Sequence, residues 1–144
     1  MAQKDKDILL KDLCARLSYG VLIQEKCLEN VKMFLPNQET DRLINIDVSN
    51  RTLITNGGSF YHVDEIKPYL FPLSSMTEEQ EGELKGLLSE VYDFSFRMDE
   101  CLEFIQEQKV IPFRFIDWLD KNNFDYRGLI SMGLAIDATD LNIY

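Results

Sequence analysis

The stretch between residues 21 and 63 constrains the fold most, because its apolar residues recur at every second position. Three sets show this spacing: Val21 and Ile23; Val31, Met33 and Leu35; and Ile44, Ile46 and Val48. A period of two places each set on one face of a β-strand. Asn56-Gly57-Gly58 predicts a hairpin between two further short runs, because Asn and Gly accept positive φ. We expect an antiparallel β-meander of four or five strands, with one face free to pack on helices.

Signals for a helix and for a connector flank this β-rich region. Between Asp5 and Leu17 apolar residues recur at three- and four-residue spacing, and Gly20 suits the left-handed conformation that ends helices. Pro68 and Pro72 exclude a long helix in residues 64–76. We therefore expect a short turn there, followed by an extended connector.

A long helix is predicted from Thr77, which can form a capping box with Gln80. Two rows of apolar residues follow a seven-residue period: Leu84, Val91, Met98 and Ile105; and Leu87, Phe94 and Cys101. This is the a/d pattern of a helix that lies along another helix. One helix over residues 77–108 would measure about 48 Å, against a radius of gyration of about 14–15 Å for such a domain. The helix therefore either breaks near residues 93–96, or projects and forms a homodimer with a second copy.

The end of the chain predicts two shorter helices and a docked tail. Pro112 suits a first helical turn, and Asn122-Asn123 suits the end of that helix. Asp125 is expected to cap a helix over residues 126–132, with Gly133 after it. The expected fold class is α+β with one domain over residues 1–144. Its parts are an N-terminal helix (5–17), a β-rich region (21–63), a connector (64–76), C-terminal helices packed on the sheet (77–133) and a docked tail (134–144).

The charge balance excludes one class of partner. The chain has 25 acidic and 15 basic side chains, a net charge of −10, whereas nucleic-acid affinity rests on Lys and Arg contacts to phosphates. We expect no nucleic-acid partner. The acidity is open to two interpretations, a solubilising surface or an acidic face that binds a basic protein.

Several features predict a cytoplasmic protein. The polar N-terminus lacks the apolar core of a signal peptide, and no apolar run approaches the roughly 18 residues of a membrane span. Three cysteines, an odd number, indicate reduced thiols rather than a closed set of disulfides. We therefore expect neither secretion nor membrane insertion.

Catalytic and metal-binding patterns are missing from the sequence. His62 is the only histidine, so a small enzyme would have to use it, with Cys14 or Cys27 beside it. The motifs of P-loops, dinucleotide sites and nucleophile elbows do not occur, and no His or Cys pair has zinc spacing. We expect no catalytic residues, no metal, no cofactor and no enzymatic activity.

Aromatic residues supply the candidate binding surface, because Tyr and Trp are enriched at partner interfaces and in ligand pockets. The candidates are Tyr61, His62, Tyr69, Phe71, Trp118 and Tyr126. Aromatics also fill cores. The sequence favours a non-enzymatic interaction or accessory protein. The alternative is a small-molecule-binding protein with a pocket between sheet and helices.

Three stretches carry a resemblance to a known group of proteins. They are KDLCARLSYGV at 11–21, IKPYLFPLSSMTEEQ at 66–80, and FIDWL, FDYRGLI and GLAID between 115 and 137. The chain resembles small proteins of gut Bacteroides-type bacteria, many of them from prophages and other mobile elements. The resemblance implies a bacterial or phage cytoplasm and an accessory protein that binds and blocks or adapts another protein. It implies no activity and no site residues.

Overall fold

The structure, a computed structural model, describes residues 1–25, 41–89 and 113–144. Several predicted features lie outside these residues. They are the strand of Val31, Met33 and Leu35, the thiols of Cys27 and Cys101, Pro112, and the helix beyond residue 89 with its break or homodimer contact.

Three helices and seven strands are described. The helices are α1 (Gln3–Arg16), α2 (Glu78–Ser89) and α3 (Phe113–Lys121). The strands are β1 (Leu22–Glu25), β2 (Asp41–Asp47), β3 (Thr52–Thr55), β4 (Phe60–His62), β5 (Ile66–Pro72), β6 (Phe124–Asp125) and β7 (Ile136–Asp137). The α+β class is confirmed.

The sheet is mixed, which corrects the expected purely antiparallel meander. Its strand order is β4-β3-β2-β1-β5-β6, with β7 also paired to β5. Neighbouring pairs from β4 through β5 are antiparallel, but β6 and β7 run parallel to β5. After α3, strands β6 and β7 run in the same direction as β5 and pair with its second edge, opposite the edge that pairs with β1.

The proline-containing connector is extended, as predicted, but it forms a strand inside the sheet. Pro68 pairs with Ile23 of β1, and Tyr69 and Leu70 pair with β7. Ile66 and Leu70 are fully buried. The prolines correctly exclude a helix, but they do not indicate that β5 pairs with three other strands.

A β-bulge in β2 overturns the prediction that Ile44, Ile46 and Val48 share a face. Leu43 pairs with Thr55 and Asn45 pairs with Ile54, so the register shifts between them. One extra residue reverses the alternation that follows it. Leu43 and Ile46 therefore pack in the core, whereas Ile44 is 54 % exposed.

The end signals of the helices are confirmed. Gly20 follows α1 and a short 3₁₀ turn with φ of +73°. The Thr77 hydroxyl accepts the Gln80 N–H and the Gln80 side chain accepts the Thr77 N–H, at 3.2 and 2.9 Å, which is a reciprocal capping box. Asn123 ends α3 with φ of +58°.

The helix predicted over residues 126–132 is wrong, because this segment is a series of turns. The Asp125 carboxylate accepts the N–H groups of Leu129 and Ile130 at 2.9 and 2.8 Å. An N-cap accepts N–H groups two or three residues on. Here the carboxylate reaches four and five residues on and closes a wider loop.

Three clusters of buried side chains form the core. The largest lies between α1 and one face of the sheet and includes Leu9, Leu13 and Leu53. A second joins α2 and α3 around Leu84 and Phe115. The third lies where residues of the C-terminal tail, including Ala138, pack against Leu22 and Tyr69.

Two glycine substitutions should shift stability in opposite directions. Gly58 has φ of +79° with open space around its Cα, so Gly58→Ala should cost about 1–2 kcal/mol through backbone conformation alone. Gly82 lies inside α2, also in open space, and Gly82→Ala should stabilise by about 0.5–1 kcal/mol. Urea unfolding of both variants measures the contrast. Equal effects would contradict it.

Candidate interaction surface

The six aromatic and histidine candidates lie in different parts of the fold. Tyr61 packs beside the α1 core, and Tyr69 lies in the core beneath the tail. Trp118 and Tyr126 join the α2–α3 core, and Phe71 contacts both this core and that of the tail. His62 is exposed on β4.

The polar atoms of these aromatics are already paired. The hydroxyl of Tyr69 donates to Gln24 Oε1 at 3.0 Å, and burial raises its pKa. Trp118 Nε1 donates to Glu83 Oε2 at 3.2 Å, which ties α3 to α2. The hydroxyls of Tyr61 and Tyr126 donate to Asp41 and Asp120 at 3.3 and 2.9 Å. A ligand would have to break these bonds to use them.

His62 belongs to a surface ion pair that joins α1 to the end of β4. Its Nδ1 lies 2.7 Å from Asp64 Oδ1, and Asp64 Oδ2 accepts from Lys6 Nζ at 2.6 Å. Cys14 lies eight residues after Lys6 on the same helix, about 12 Å along its axis. Desolvation raises the pKa of the Cys14 thiol, which disfavours the nucleophilic thiolate. The structure therefore separates Cys14 from the histidine.

The Lys6–Asp64 pair should make stability pH-dependent. The hydrogen bond from Lys6, followed by that from His62, holds the pKa of Asp64 well below its ordinary 3.8. A depressed folded-state pKa gives stability that is present above the unfolded-state value and is lost as the pH falls toward the folded-state value. The free-energy difference between wild type and Asp64→Asn should therefore be largest above about pH 5 and shrink below about pH 4.

Denaturant unfolding across this pH series is the measurement, and added salt should reduce the difference, because the Asp64 side chain is 33 % exposed. The variant Lys6→Met provides the matched control, since the pKa of Asp64, followed by NMR, should move toward 3.8. A difference that stays constant with pH would contradict the assignment.

A buried ionic network lies between α1, α3 and the loop after β6. Arg16 is fully buried and donates to both oxygens of Asp12, which is also fully buried, at 2.8 and 3.0 Å. Arg16 Nη2 also donates to the Phe124 carbonyl at 2.7 Å. Arg127 Nε donates to Asp12 Oδ1 at 3.1 Å. Residues from both ends of the chain therefore share one carboxylate.

The network shifts the proton affinity of its members. Burial alone would lower the pKa of Arg16, but the charge of Asp12 raises it above the ordinary value. Asp120 lies 3.8 Å from Arg16, and burial raises its pKa although Arg16 opposes the change. Burial and the nearby Asp120 raise the pKa of the Tyr126 hydroxyl. These groups bind one another and link α1 to the last part of the chain, so the network has a structural role, and we call it a brace.

This network was not predicted from the sequence. The signal was present, because Leu9, Asp12, Leu13 and Arg16 have the i, i+3, i+4, i+7 spacing of one helix face. Two charged side chains on an apolar face indicate a buried pair.

Removing the guanidinium should be severely destabilising. Arg16→Met leaves Asp12 without its main partner, and breaking a buried pair costs about 3–5 kcal/mol. Lys11→Met on the exposed side of α1 is the control and should change the free energy of unfolding by less than about 0.5 kcal/mol. Chemical denaturation measures both. If the two substitutions cost the same, the network does not brace the fold.

The outer face of the sheet, opposite α1, presents a row of three aligned residues on three strands, and two of the three are apolar. Leu53 and Thr55 point into the core and are fully buried, so Ile54 between them points outward. The strand registers align Asn45, Ile54 and Phe60 across β2, β3 and β4. Phe60 is 69 % exposed, Asn45 is exposed and Ile54 is half-buried. We call this row, with the exposed Ile44, the outer β2–β4 face.

The C-terminal tail packs on the outer side of the sheet over β1 and β5, away from the outer β2–β4 face. Leu22 of β1 lies on that side and packs with Tyr69, Ala138 and the tail. Arg42, its register partner on β2, is exposed. Among the described residues, the tail therefore covers the outer side of the sheet over β1 and β5, whereas Arg42, Asn45 and Phe60 on the same side are exposed.

Among the described strands, β4 lies at one edge of the sheet, and its outward side is partly protected. Thr55 N–H bonds Ser59 O and Val63 N–H bonds Arg51 O, so the backbone groups of Phe60 and His62 point away from β3. The Glu65 carboxylate accepts the His62 N–H at 2.7 Å. Side-chain capping of an edge limits uncontrolled strand pairing.

Sequence reasoning chose Tyr61 and passed over Phe60. The outward position of Phe60 follows from the hairpin, because Phe60 is two residues beyond Gly58 and alternates with the inward-facing Tyr61. The exposure of Ile44 has no such signal, since the bulge in β2 sets it.

Comparison of the chain with models of known protein families, with curated proteins and with solved structures gives no match. Among residues 1–25, 41–89 and 113–144, no cluster of His, Cys, Asp and Glu side chains could hold a metal ion. In the same part of the chain, no helix has the length and hydropathy to cross a membrane.

Proposed function

We propose that this chain is a non-enzymatic interaction protein that binds a basic protein partner through the outer β2–β4 face. The observation that carries the proposal is Phe60, a large aromatic side chain that is 69 % exposed beside Ile54. Exposed apolar groups rimmed by polar residues are typical of partner-binding sites. Phenylalanine is enriched in the buried centre of interfaces.

The residues around Phe60 have the arrangement of an interface centre and rim. Ile54 and Ile44 extend the apolar area, and the exposed Arg42, Asp47 and His62 lie around it. A partner that covers the face would desolvate Phe60 fully while the charged side chains keep contact with water. Such fully desolvated central residues carry most of the binding free energy.

The charge of the chain supports a basic partner. With a net charge of −10, a basic protein is attracted over distances comparable to the Debye length, which raises the association rate. The resemblance to small proteins of mobile elements adds an accessory role in a bacterial cytoplasm, where this chain would block or adapt its partner.

The small-molecule alternative has less support. The side chains that would line its pocket lie in three separate clusters. Their polar atoms are already bonded to Asp41, Gln24, Glu83 and Asp120. No shared set of free polar groups at these side chains would orient a ligand.

Photo-crosslinking followed by reconstitution tests the proposal. A photoreactive residue replaces Asn45 on the outer β2–β4 face, in a gut Bacteroides host, and the trapped protein is identified and purified. Phe60→Ser should then raise its Kd about 30-fold, because a central aromatic contributes about 2 kcal/mol. Met132→Ser removes another apolar side chain, 43 % exposed, from a different part of the surface. It should leave the Kd within about twofold.

Salt and partner identity complete the test. Raising the ionic strength should lower the association rate more than it raises the dissociation rate. The proposal fails if the photoreactive residue at position 45 traps no protein, or if the Phe60→Ser variant binds the partner as tightly as wild type does. A trapped partner that is acidic, including a second copy of this chain, would contradict the role of charge.

A further inference from the structure

The turn between β3 and β4 exposes an asparagine followed by a glycine. Gly58 N–H donates to Thr55 O at 3.0 Å, Thr55 N–H donates to Ser59 O at 3.1 Å, and Gly58 has φ of +79°. This is the three-residue hairpin loop, a turn followed by a left-handed glycine. Asn56 and Gly57 are the two central residues of the four-residue turn from Thr55 to Gly58, and both are exposed. Only Gly58 needs the positive φ that the sequence pattern suggests.

The Gly57 peptide nitrogen is accessible. In the residues that the structure describes, no group accepts a hydrogen bond from its N–H. Glycine has no Cβ to shield its own backbone nitrogen. Asn56 is the only asparagine in the chain that precedes a glycine. Every other asparagine precedes a residue with a larger side chain, such as Arg51 after Asn50.

The Asn56 side chain is polarised in the direction that nucleophilic attack requires. Its Oδ1 accepts the Arg42 N–H at 2.9 Å, and this bond draws electron density away from Cγ. The Asn56 N–H donates in turn to the Arg42 carbonyl at 2.9 Å. A donor at a carbonyl oxygen stabilises the oxyanion that forms when the carbon is attacked.

We propose that Asn56 is a site of spontaneous deamidation, with the Gly57 peptide nitrogen as the nucleophile. The nitrogen forms a bond to Asn56 Cγ, the Cγ–Nδ2 bond breaks, and ammonia leaves with the proton of the Gly57 N–H. Water then opens the resulting succinimide at one of its two carbonyls. Opening at Cγ gives aspartate, and opening at the main-chain carbonyl gives isoaspartate. The sum is asparagine plus water to a carboxylate plus ammonium, because the ammonia takes up the proton that the new carboxylic acid releases, and there is no redox step.

The product changes the hairpin that carries Phe60. A carboxylate at position 56 adds negative charge next to Asp41, whose Oδ1 lies 2.9 Å from where a Cβ on Gly57 would stand. Isoaspartate also adds a methylene to the main chain, which misaligns the paired bonds with Arg42. The chemistry does not depend on the proposed function, because it needs only the turn and water.

Peptide mapping of the aged protein tests this assignment. The full chain is incubated in oxygen-18 water at mildly alkaline pH and physiological temperature. Position 56 should convert to aspartate and isoaspartate with one heavy oxygen per event, at least about tenfold faster than Asn50, because Arg51 shields its own nitrogen and Gly57 does not. Asn56→Gln should abolish the product at this position. Circular dichroism should show that the variant keeps the fold.

Three results would overturn the proposal. The first is conversion of Asn56 and Asn50 at equal rates, and the second is a product at position 56 without the heavy oxygen. The third is a rate at Asn56 that rises in proportion to the unfolded fraction in low urea, because the reaction would then belong to the unfolded chain. A rate that is unchanged by urea below the unfolding transition is the expected result.

Discussion

The fold depends on the complete burial of one positive charge, that of Arg16. A guanidinium without water needs fixed acceptors on several sides. Asp12 supplies two oxygens from one turn earlier in the same helix, but the Phe124 carbonyl comes from β6. Helix α1 and the last part of the chain therefore stabilise each other. Helix α1 in turn covers one face of the sheet, so the brace also holds the main core.

Features fixed by a few neighbouring residues could be predicted from the sequence. The end of α1 at Gly20, the hairpin at Asn56-Gly57-Gly58 and the capping box of Thr77 and Gln80 all depend on local conformation and hydrogen bonds. The same local reasoning failed after Asp125, because its carboxylate bonds amides four and five residues on and closes turns instead of a helix.

Features fixed by distant parts of the chain could not be predicted in this way. The central position of β5 results from strands that precede and follow it by tens of residues, and neither Pro68 nor Pro72 indicates them. The bulge beside Ile44 is visible only in the pairing of β2 with β3. Since the bulge decides which side of β2 faces outward, the composition of the outer β2–β4 face could not be read from alternation alone.

Charge and apolar surface have separate roles in the proposed interaction. Ion pairs within the chain, such as the buried Arg16–Asp12 and the surface Lys6–Asp64, neutralise equal numbers of positive and negative charges, so they leave the net charge of −10 unchanged. The excess resides on groups outside such pairs, and it would attract a basic protein without fixing the orientation of that protein. Orientation requires contacts at short range, and Phe60 with Ile54 offers them on one face of the sheet. An acidic surface alone would bind many basic proteins weakly, whereas an aromatic side chain at a defined place selects the one with a matching pocket.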